Sequence, residues 1–344
     1  MITYKTAETL NNVHKYKVSK FNDKMFLICN SAYSGRSLII FDFETKHNKQ
    51  IYKSGLYDIE EFSNNKLITS SINPEKTFII DNNALKITDL IIHLPGFEYE
   101  NYFYCLSNYN NDFGYIKLDI KSLDVKRFWP SSFFCLNGIS IVIKDNFLAK
   151  KEGIINFSNL DTGEIIWQKD YQFKITKIEV WNYELVFLEL LTSPNTILGI
   201  QTKDGNILWQ KTGIFLHIYD GFIYFISNPN HSTFIVKKIE PIKGIEQIFD
   251  LSIILEKNNL LLDVMKMEYV VKDNLIYFSF FYKKTLLIVN LKTLKQEWIH
   301  KIETNASWIN EPRIVGNRLY VLDETNTLHI FEKEKVINLK ESSE

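Results

Sequence analysis

The chain has 344 residues and a formal net charge of -1, with acidic and basic side chains interspersed along its length. This balance argues against a nucleic-acid-binding protein, which normally carries a basic excess or a basic stripe. No stretch reaches the roughly 18 apolar residues of a membrane span, and residues 1–10 lack the apolar core of a signal peptide. We therefore expect a cytoplasmic protein that binds neither nucleic acid nor a membrane.

The composition is typical of a β-protein, rich in Ile, Phe and Tyr and poor in Gly and Pro. In chain order, short apolar strands alternate with Asp/Asn-rich turns, and four strands make one unit of about forty residues. The clearest unit, 264–298, has strands that begin at Met267, Leu275, Leu286 and Lys295. The units span about 15–53, 56–90, 97–129, 133–168, 174–210, 214–250 and 264–298, and an eighth contains Asn317 and Thr327.

A turn followed by an aromatic residue recurs at the end of several units. Asn159-Leu-Asp-Thr-Gly-Glu-Ile-Ile-Trp167 is followed by Thr202-Lys-Asp-Gly-Asn-Ile-Leu-Trp209. Asn290-Leu-Lys-Thr-Leu-Lys-Gln-Glu-Trp298 repeats the first phrase at Asn, Leu, Thr and Trp, and residues 44–52 and 121–129 are looser copies. The phrase predicts a repeated hairpin whose last strand ends in an aromatic side chain.

Three segments fall outside the repeat. Residues 249–263 form an insertion, apolar enough to be a short helix or an extra strand, and residues 89–97 read as a smaller connector. Strand Met1–Lys5 is left over at the N-terminus, and we expect it to pair with the last unit and so close a ring of sheets.

The Asp161-Thr-Gly-x-x-x-Trp167 phrase, flanked by apolar strands, resembles the PQQ-like repeat propellers. That family includes quinoprotein dehydrogenases and the outer-membrane assembly propeller of the BamB type. The resemblance implies an all-β fold, with residues 1–344 forming a single β-propeller of four-stranded antiparallel blades and an insertion near 250–263. We expect eight blades, with seven as the alternative if unit 56–90 is not a whole blade. The family also implies that four tryptophans dock between neighbouring blades: Trp129, Trp167, Trp209 and Trp298.

No motif points to catalysis, a cofactor or a metal. A quinone dehydrogenase of the resembling family needs a calcium-bound cofactor and, in its alcohol-oxidising members, adjacent cysteines, whereas the three cysteines here are widely spaced. The seven histidines are scattered without HxH or HExxH spacing, and there is no GxSxG elbow, P-loop or GxGxxG. Glu179 and Glu189 are candidate carboxylates on inner strands, but nothing marks them as a pair. We expect no enzyme activity. Cys29, Cys105 and Cys135 are expected to be buried, reduced thiols.

The loops between second and third strands and the connectors between units are expected on one side of a propeller. That side is rich in Tyr, Trp, Arg and Asn, which are favoured in recognition surfaces, although ordinary turn packing explains the same residues. Residues 30–36 and 108–113 are two of these loops, and Trp308 and Tyr109 are the best single candidates because neither belongs to the repeat phrase. The candidate partner-binding residues are Tyr33, Arg36, Phe97, Tyr99, Tyr109, Asp112, Phe113, Tyr171, His231 and Trp308.

The function we expect is a cytoplasmic interaction module, a monomer on its own, that binds a protein partner through this loop side. One concrete form is an inhibitor or immunity protein that covers a bacterial toxin. The first alternative is an enzyme or small-molecule binder that uses the central channel. The second is an assembly scaffold of the BamB type, which the missing lipoprotein signal disfavours.

Overall fold

The computed structural model describes residues 2–18, 24–31, 35–53, 56–61, 67–72, 75–81, 84–88, 90–130, 139–143, 146–151, 153–227, 232–263 and 265–334. Over these residues the chain is nearly all β-structure, with one α-helix and one 3₁₀-helix. The strands of this part pair into eight four-stranded antiparallel sheets, which correspond one for one to the sequence units. No helix within these ranges is long and apolar enough to cross a membrane.

The chain divides into two compact units, each with four of the described sheets. The N-terminal unit is Asn12–Phe173, and the C-terminal unit is Met1–Asn11 with Lys174–Glu344. The sheets of the N-terminal unit are β2 (Val13–Val18), β3 (Lys24–Ser31), β4 (Gly35–Asp42) and β5 (Asn48–Lys53); β6 (Leu56–Glu61), β7 (Leu67–Ile72), β8 (Glu75–Asp81) and β9 (Ala84–Thr88); β10 (Ile91–Tyr99), β11 (Tyr102–Tyr109), β12 (Asp112–Asp119) and β13 (Val125–Pro130); and β14 (Ile139–Ile143), β15 (Asn146–Lys151), β16 (Ile154–Asn159) and β17 (Ile165–Asp170).

The C-terminal unit contains the insertion and the strand contributed by the N-terminus. Its sheets are β18 (Ile175–Trp181), β19 (Leu185–Leu190), β20 (Thr196–Gln201) and β21 (Ile207–Thr212); β22 (Ile214–Tyr219), β23 (Phe222–Ser227), β24 (Ile235–Ile239) and β25 (Glu246–Asp250); β26 (Met267–Lys272), β27 (Leu275–Phe280), β28 (Thr285–Asn290) and β29 (Lys295–Lys301); and β30 (Arg313–Val315), β31 (Arg318–Leu322), β32 (Leu328–Lys333) and β1 (Tyr4–Leu10). Helix α1 (Ser252–Lys257) and a 3₁₀-helix (Leu261–Asp263) lie between β25 and β26.

The burial pattern explains why these sequences form stacked sheets. Every residue of β27 is buried, and so are the first five residues of β28, whereas the fourth strand β29 is partly exposed along its length. A strand buried on both faces is mostly apolar, as Leu275–Phe280 is, and its one small polar residue, Ser279, donates its hydroxyl to the Asn310 carbonyl oxygen at 2.7 Å. In this sheet the second and third strands therefore form the core, and the fourth strand forms the outer edge.

The repeated turn phrase folds by local hydrogen bonding. The Asn159 side-chain oxygen accepts the backbone N–H groups of Asp161 (2.8 Å) and Thr162 (2.9 Å), and Gly163 takes the left-handed conformation at φ 74°. Asn290 makes the same two bonds at its own turn, where Leu294 takes the left-handed position at φ 51°. An Asx turn followed by a left-handed residue closes the hairpin, which confirms the hairpin prediction.

The tryptophan of the phrase fills the space between two sheets. The indole of Trp209 stacks on Phe187 of its own sheet, with ring centroids 5.6 Å apart, and packs in one buried cluster with Phe225 of the next sheet. Its Nε1–H donates to the carbonyl oxygen of Pro241 at 2.7 Å. Trp298 packs in the same way against Phe331 of the following sheet, at 5.7 Å between ring centroids. Trp129 of the N-terminal unit shares a buried cluster with residues of the next sheet, among them Phe147 and Leu160.

The N-terminal strand pairs with the last sheet, as the sequence predicts, but it is β1 from Tyr4 to Leu10 rather than Met1–Lys5. It runs antiparallel to β32, from the pair Tyr4 and Lys333 to the pair Leu10 and Leu328. Tyr4 packs edge-on against Tyr277, which is buried in the preceding sheet. The pairing joins the two ends of the chain within the C-terminal unit.

The two segments that break the repeat have different structures. The insertion 249–263 contains α1 and the 3₁₀-helix, so it is helical rather than an extra strand. The prediction of a connector at 89–97 is wrong, because Ile91–Tyr99 is strand β10. Its pairing with β11 shifts register between His93 and Phe97, and this irregularity takes up the Leu94-Pro95-Gly96 sequence inside a strand.

Candidate protein-interaction surface

Several predicted binding residues are not in the loops to which the sequence assigns them. Tyr33 and His231 lie outside the residues that the structure describes. Arg36 lies in β4, and Phe97 and Tyr99 lie in β10, so their placement in loops and connectors is wrong. The physical reason is that antiparallel pairing extends both strands through polar and Pro-Gly positions, which in isolation favour turns.

The predicted loop 108–113 is a tight hairpin. Tyr109 and Asp112 pair across the turn Asn110–Asn111, whose residues both have positive φ, at 51° and 66°. Tyr109 therefore ends β11, and Asp112 and Phe113 belong to β12, which corrects the loop prediction. The ring of Tyr109 packs on Phe128, 5.6 Å away, so much of its surface serves the sheet. Phe113 is 43% exposed and is the more accessible side chain of this hairpin.

Tyr171 lies in the connector after β17, where the sequence places it. Its backbone N–H donates to the carbonyl oxygen of Gly153 at 3.0 Å. Its hydroxyl is buried and has no hydrogen-bond partner among the described residues, and burial raises the pKa of this phenol to about 12. The neighbouring Phe173 is half exposed. Phe113 and Phe173 are thus two exposed aromatic residues of the N-terminal unit.

Trp308 lies, as predicted, in the connector between β29 and β30, and this connector is held in place by hydrogen bonds. The Trp308 carbonyl oxygen accepts the backbone N–H of Glu324 at 3.1 Å, and the Glu324 carboxylate accepts the N–H of Ser307 at 2.7 Å. On the other side, Ile309 bridges to Asp323 and donates its N–H to Phe281 at 3.2 Å. The backbone is therefore fixed, while the Trp308 side chain remains partly exposed to solvent.

A buried carboxylate anchors this connector. The Asp323 side chain is fully buried and accepts a hydrogen bond from the Thr304 hydroxyl at 2.6 Å, and the His329 Nε2 atom lies 3.0 Å away. It also accepts the backbone N–H groups of Thr325 and Thr327. Burial alone would raise the pKa of Asp323, but hydrogen bonds from Thr304 and His329 hold the pKa below its usual value. The charged form of Asp323 thus holds the turn 323–327 against the connector.

Sequence reasoning missed the exposed apolar residues of the insertion and of the β27–β28 loop. With Trp308 they form a set that we call the insertion surface, with exposed fractions of 79%, 67%, 61%, 57% and 39% for Ile253, Leu262, Met265, Tyr282 and Trp308 respectively. Hydrogen bonds join the three segments, because Phe281 donates its N–H to the Lys266 carbonyl oxygen and accepts the N–H of Ile309. The sequence feature that could have indicated this surface is the apolar run Leu260-Leu-Leu, which lies in a segment outside the repeat.

Charged side chains of both signs surround the insertion surface. The ammonium group of Lys266 lies 5.1 Å from the ring centroid of Tyr282, and Lys283 pairs with Asp263 at 3.7 Å. Lys284 of the β27–β28 loop donates from its ammonium group to the Thr304 carbonyl oxygen of the connector at 2.9 Å, so basic side chains lie on both sides of this loop. The connector and the turn after β31 carry Glu303, Glu311, Arg313, Asp323 and Glu324, an acidic balance.

Of the two candidate carboxylates, Glu179 lies in the first strand β18, whereas Glu189 lies in the second strand β19 and not in an inner strand as the sequence predicts; Glu189 binds the backbone of the neighbouring strand β22. The first strand β22 has a register break between Ile214 and His217, which frees the backbone groups of Phe215 and Leu216. Glu189 accepts the Leu216 N–H at 3.0 Å, and the Lys177 ammonium group donates to the Leu216 carbonyl oxygen. The Tyr269 hydroxyl donates to the Phe215 carbonyl oxygen. Side chains from the adjacent sheets therefore satisfy this bulge.

The same cluster contains two titratable groups with shifted pKa values. Burial, with a smaller effect of the Lys177 charge, lowers the pKa of His217 to about 4. Burial and the neighbouring charge of Glu311 raise the pKa of Glu268. Glu179, the other sequence candidate, lies 3.4 Å from the Lys177 ammonium group. Across the described residues, no group of three or more His, Cys, Asp or Glu side chains is arranged to hold a metal ion.

Comparison with known proteins identifies the fold. No protein-family model matches the sequence, and comparison with curated proteins gives no match either. Among solved structures, BamB from Moraxella catarrhalis is similar at 10% identity, covering 96% of this chain and 98% of that one, with a TM-score of 0.59. Sqt1 from Saccharomyces cerevisiae is similar at 8% identity, with coverage of 96% and 98% and a TM-score of 0.59. The computationally designed protein Ika8 is similar at 11% identity, with coverage of 95% and 98% and a TM-score of 0.60.

These likenesses concern the fold alone, because every identity is far below 25%. They extend over nearly the whole chain and agree with the four-stranded antiparallel sheets. The protein is an all-β protein with the β-propeller fold. The similarity to BamB, a propeller of the PQQ-like type, supports the sequence resemblance at the level of the fold.

Proposed function

We propose that this β-propeller is a non-enzymatic interaction module that binds a protein partner through its loop side, with the insertion surface as the main contact. The observation that carries the proposal is the exposure of Ile253, Leu262, Met265, Tyr282 and Trp308 on connected segments. Large exposed apolar patches rimmed by charged residues are typical of protein-binding sites.

The rigidity of the Trp308 connector supports the same proposal. An aromatic side chain on a fixed backbone loses little conformational freedom on binding, and Trp and Tyr are the residues most enriched at the energetic centres of interfaces. The buried Asp323 and the bonds of Glu324 hold the backbone beside Trp308 before any partner arrives. Trp308 and Tyr282 are therefore the anchors that we expect to contribute most to affinity.

The absence of an enzymatic role is part of the proposal. Lys177 of β18 and Glu189 of β19, two groups that a reaction in a channel could use, bind the backbone of Leu216. The proposed location is the cytoplasm, and the proposed finer role is an inhibitor or immunity protein that covers a bacterial toxin. Propeller neighbours such as BamB favour protein interaction in general, so an assembly scaffold of the BamB type is the alternative with the same kind of partner.

Affinity capture with matched variants tests this proposal. The tagged full chain is incubated with native lysate beside Tyr282→Ser/Trp308→Ser and the control Ile245→Ser/Ile248→Ser. The control removes exposed apolar side chains of the same unit from strand β25 and the turn before it. We expect one stoichiometric protein with the wild type and the control, and its loss with Tyr282→Ser/Trp308→Ser.

Two outcomes contradict the proposal. Equal capture by all three proteins would show that the partner binds elsewhere. The capture of no protein at low salt would argue against an interaction module, and native mass spectrometry of the purified chain would then look for a bound small molecule. Circular dichroism of each variant shows whether it is folded.

A further inference from the structure

Strand β25 forms the outer edge of its sheet, and on its outer side no strand pairs with it in the part of the chain that the structure describes. Leu251, directly after β25, donates its N–H to the Phe234 carbonyl oxygen at 2.9 Å, so its backbone groups face the β24 side. Successive residues of an antiparallel strand direct their backbone groups to alternate sides, so every second residue of β25 directs them outward. These outward residues are Glu246, Ile248 and Asp250.

The other outer strands carry features that discourage pairing with another chain, and β25 does not. Of the eight outer strands within the described ranges, seven contain at least one Lys or Arg: β1, β5, β9, β13, β17, β21 and β29. All of these except β9 also have a register shift against the neighbouring strand. Basic side chains and β-bulges keep an exposed edge from accepting a further strand. Strand β25, Glu246-Gln-Ile-Phe-Asp250, has no Lys or Arg and pairs with β24 without a shift.

The two carboxylates of β25 are engaged within the protein. Glu246 lies 3.2 Å from the Lys237 ammonium group. Asp250 accepts the N–H of Ser252 at 2.9 Å and its hydroxyl at 2.6 Å. Between the two carboxylates, the side chain of Ile248 is 55% exposed. The edge therefore presents an apolar side chain and outward backbone groups, which together favour the addition of a strand.

We propose that β25 pairs with β25 of a second copy of this chain, antiparallel about a two-fold axis, so that two sheets join into one. This inference goes beyond the proposed function and does not use the insertion surface, and it differs from the monomer that the sequence predicts. A second copy is the specific occupant because an antiparallel pair of identical strands is isologous, and each outward N–H then meets an outward carbonyl group. A strand of five residues is a small contact beside the roughly 800 Å² on each partner of a stable interface, so we expect a weak dimer.

The charges of the strand select one register for this pair. In a pair centred on Ile248, Glu246 of each copy lies opposite Asp250 of the other, and like charges directly opposite destabilise a sheet. In a pair centred on Gln247, Glu246 lies opposite Ile248 of the second copy, and no like charges are opposed. Outward residues pair with outward residues in both registers, so the charges favour the pair centred on Gln247.

Two substitutions of Ile248 separate backbone pairing from side-chain contact. Ile248→Pro removes an N–H that faces outward, so it breaks a bond of the dimer twice and no bond to β24. Ile248→Thr removes the apolar side chain but keeps the N–H and the strand preference of a β-branched residue. We expect Ile248→Pro to weaken the dimer by about tenfold or more, and Ile248→Thr to leave its dissociation constant within about fivefold of the wild type.

Sedimentation velocity of the full chain from about 1 to 200 µM measures the dimer, and circular dichroism shows that each variant is folded. The expected result is a concentration-dependent dimer that Ile248→Pro loses and Ile248→Thr retains. A wild type that stays monomeric at about 200 µM overturns the inference, and so does equal weakening by the two variants.

Hydrogen exchange of the wild type locates the contact without a substitution. We expect the amides of Glu246, Ile248 and Asp250 to exchange more slowly at the concentrations at which the dimer forms, because they then donate to the second copy. A dimer in which these three amides exchange at unchanged rates would overturn the assignment to β25. Neither result bears on capture of a partner through the insertion surface, to which β25 does not belong.

Discussion

Removal of the indole of Trp209 should destabilise the protein more than removal of any exposed aromatic side chain. The ring is buried between two sheets, stacked 5.6 Å from Phe187 and bonded to the Pro241 carbonyl oxygen at 2.7 Å. Trp→Ala in a core costs about 3–5 kcal/mol, and the carbonyl left without a donor adds about 1 kcal/mol. Because strand pairing holds both walls of the site, the cavity cannot collapse, and we expect a loss of about 4–5 kcal/mol.

Urea denaturation followed by far-UV circular dichroism measures this loss. For a cooperative unit of about 150–250 residues, the same change should lower the melting temperature by roughly 10 °C. The matched control is Trp308→Ala, which removes an exposed indole and should cost less than about 1 kcal/mol. Equal losses for the two variants would refute the assignment of Trp209 to the space between sheets.

A double-mutant cycle with Gly199 tests the packing directly. A Cβ atom added to Gly199 would lie 2.4 Å from the Trp209 ring, so Gly199→Ala should cost about 1–3 kcal/mol in the wild type. In the Trp209→Ala background the space is empty, and the same substitution should cost almost nothing. Additive losses would contradict the contact.

Three further predictions concern buried polar groups. Burial lowers the pKa of His217 to about 4, below the value of about 6.5 in the unfolded chain, so the free energy of unfolding should fall by up to about 3 kcal/mol as the pH falls from about 6.5 to 4. In urea denaturation, His217→Gln should show a weaker pH dependence over this range, and identical pH dependence in the variant and the wild type would contradict this. Asp323→Ala leaves the Thr304 hydroxyl and the His329 ring without their acceptor, so we expect it to lower the free energy of unfolding by about 3 kcal/mol or more. Amide hydrogen exchange at residues 304–309 should become faster, and unchanged exchange there would contradict the role of Asp323 in holding the connector. Cys105 is buried, and burial raises the pKa of its thiol, so an alkylating reagent at pH 8 should react with Cys105 only after denaturation. Peptide mapping identifies the labelled cysteine, and rapid labelling of Cys105 in the native protein would contradict its burial.

The parts of the fold that depend on local sequence were predictable. The Asn159 and Asn290 turns form by bonds to the next few residues, and the tryptophans that follow have one apolar space to fill. The leftover N-terminal strand had a sheet edge to complete, and its pairing with β32 followed. The insertion broke the repeat visibly, and it is helical.

The parts that depend on distant neighbours were not predictable. Pro95-Gly96 favours a turn by itself, but pairing with β11 keeps the chain in strand β10 and takes Phe97 and Tyr99 out of the connector. Glu189 read as a possible channel carboxylate, and only the fold shows that it binds the N–H of Leu216. Leu262 and Met265 are exposed because no other described element covers them, and this cannot be seen in the sequence. Apolar residues are usually buried, so the sequence favours burial for both.

The most direct test of the central proposal is the affinity of the purified chain for the captured partner, measured by calorimetry with Trp308→Ala and Ile248→Ala. Trp308 is the anchor of the insertion surface, and Ile248 is an exposed apolar residue of the outer strand β25. We expect Trp308→Ala to weaken binding by about 2 kcal/mol or more, roughly thirtyfold, and Ile248→Ala to leave it within about threefold. Equal affinities for the two variants would contradict the proposal that the insertion surface binds the partner.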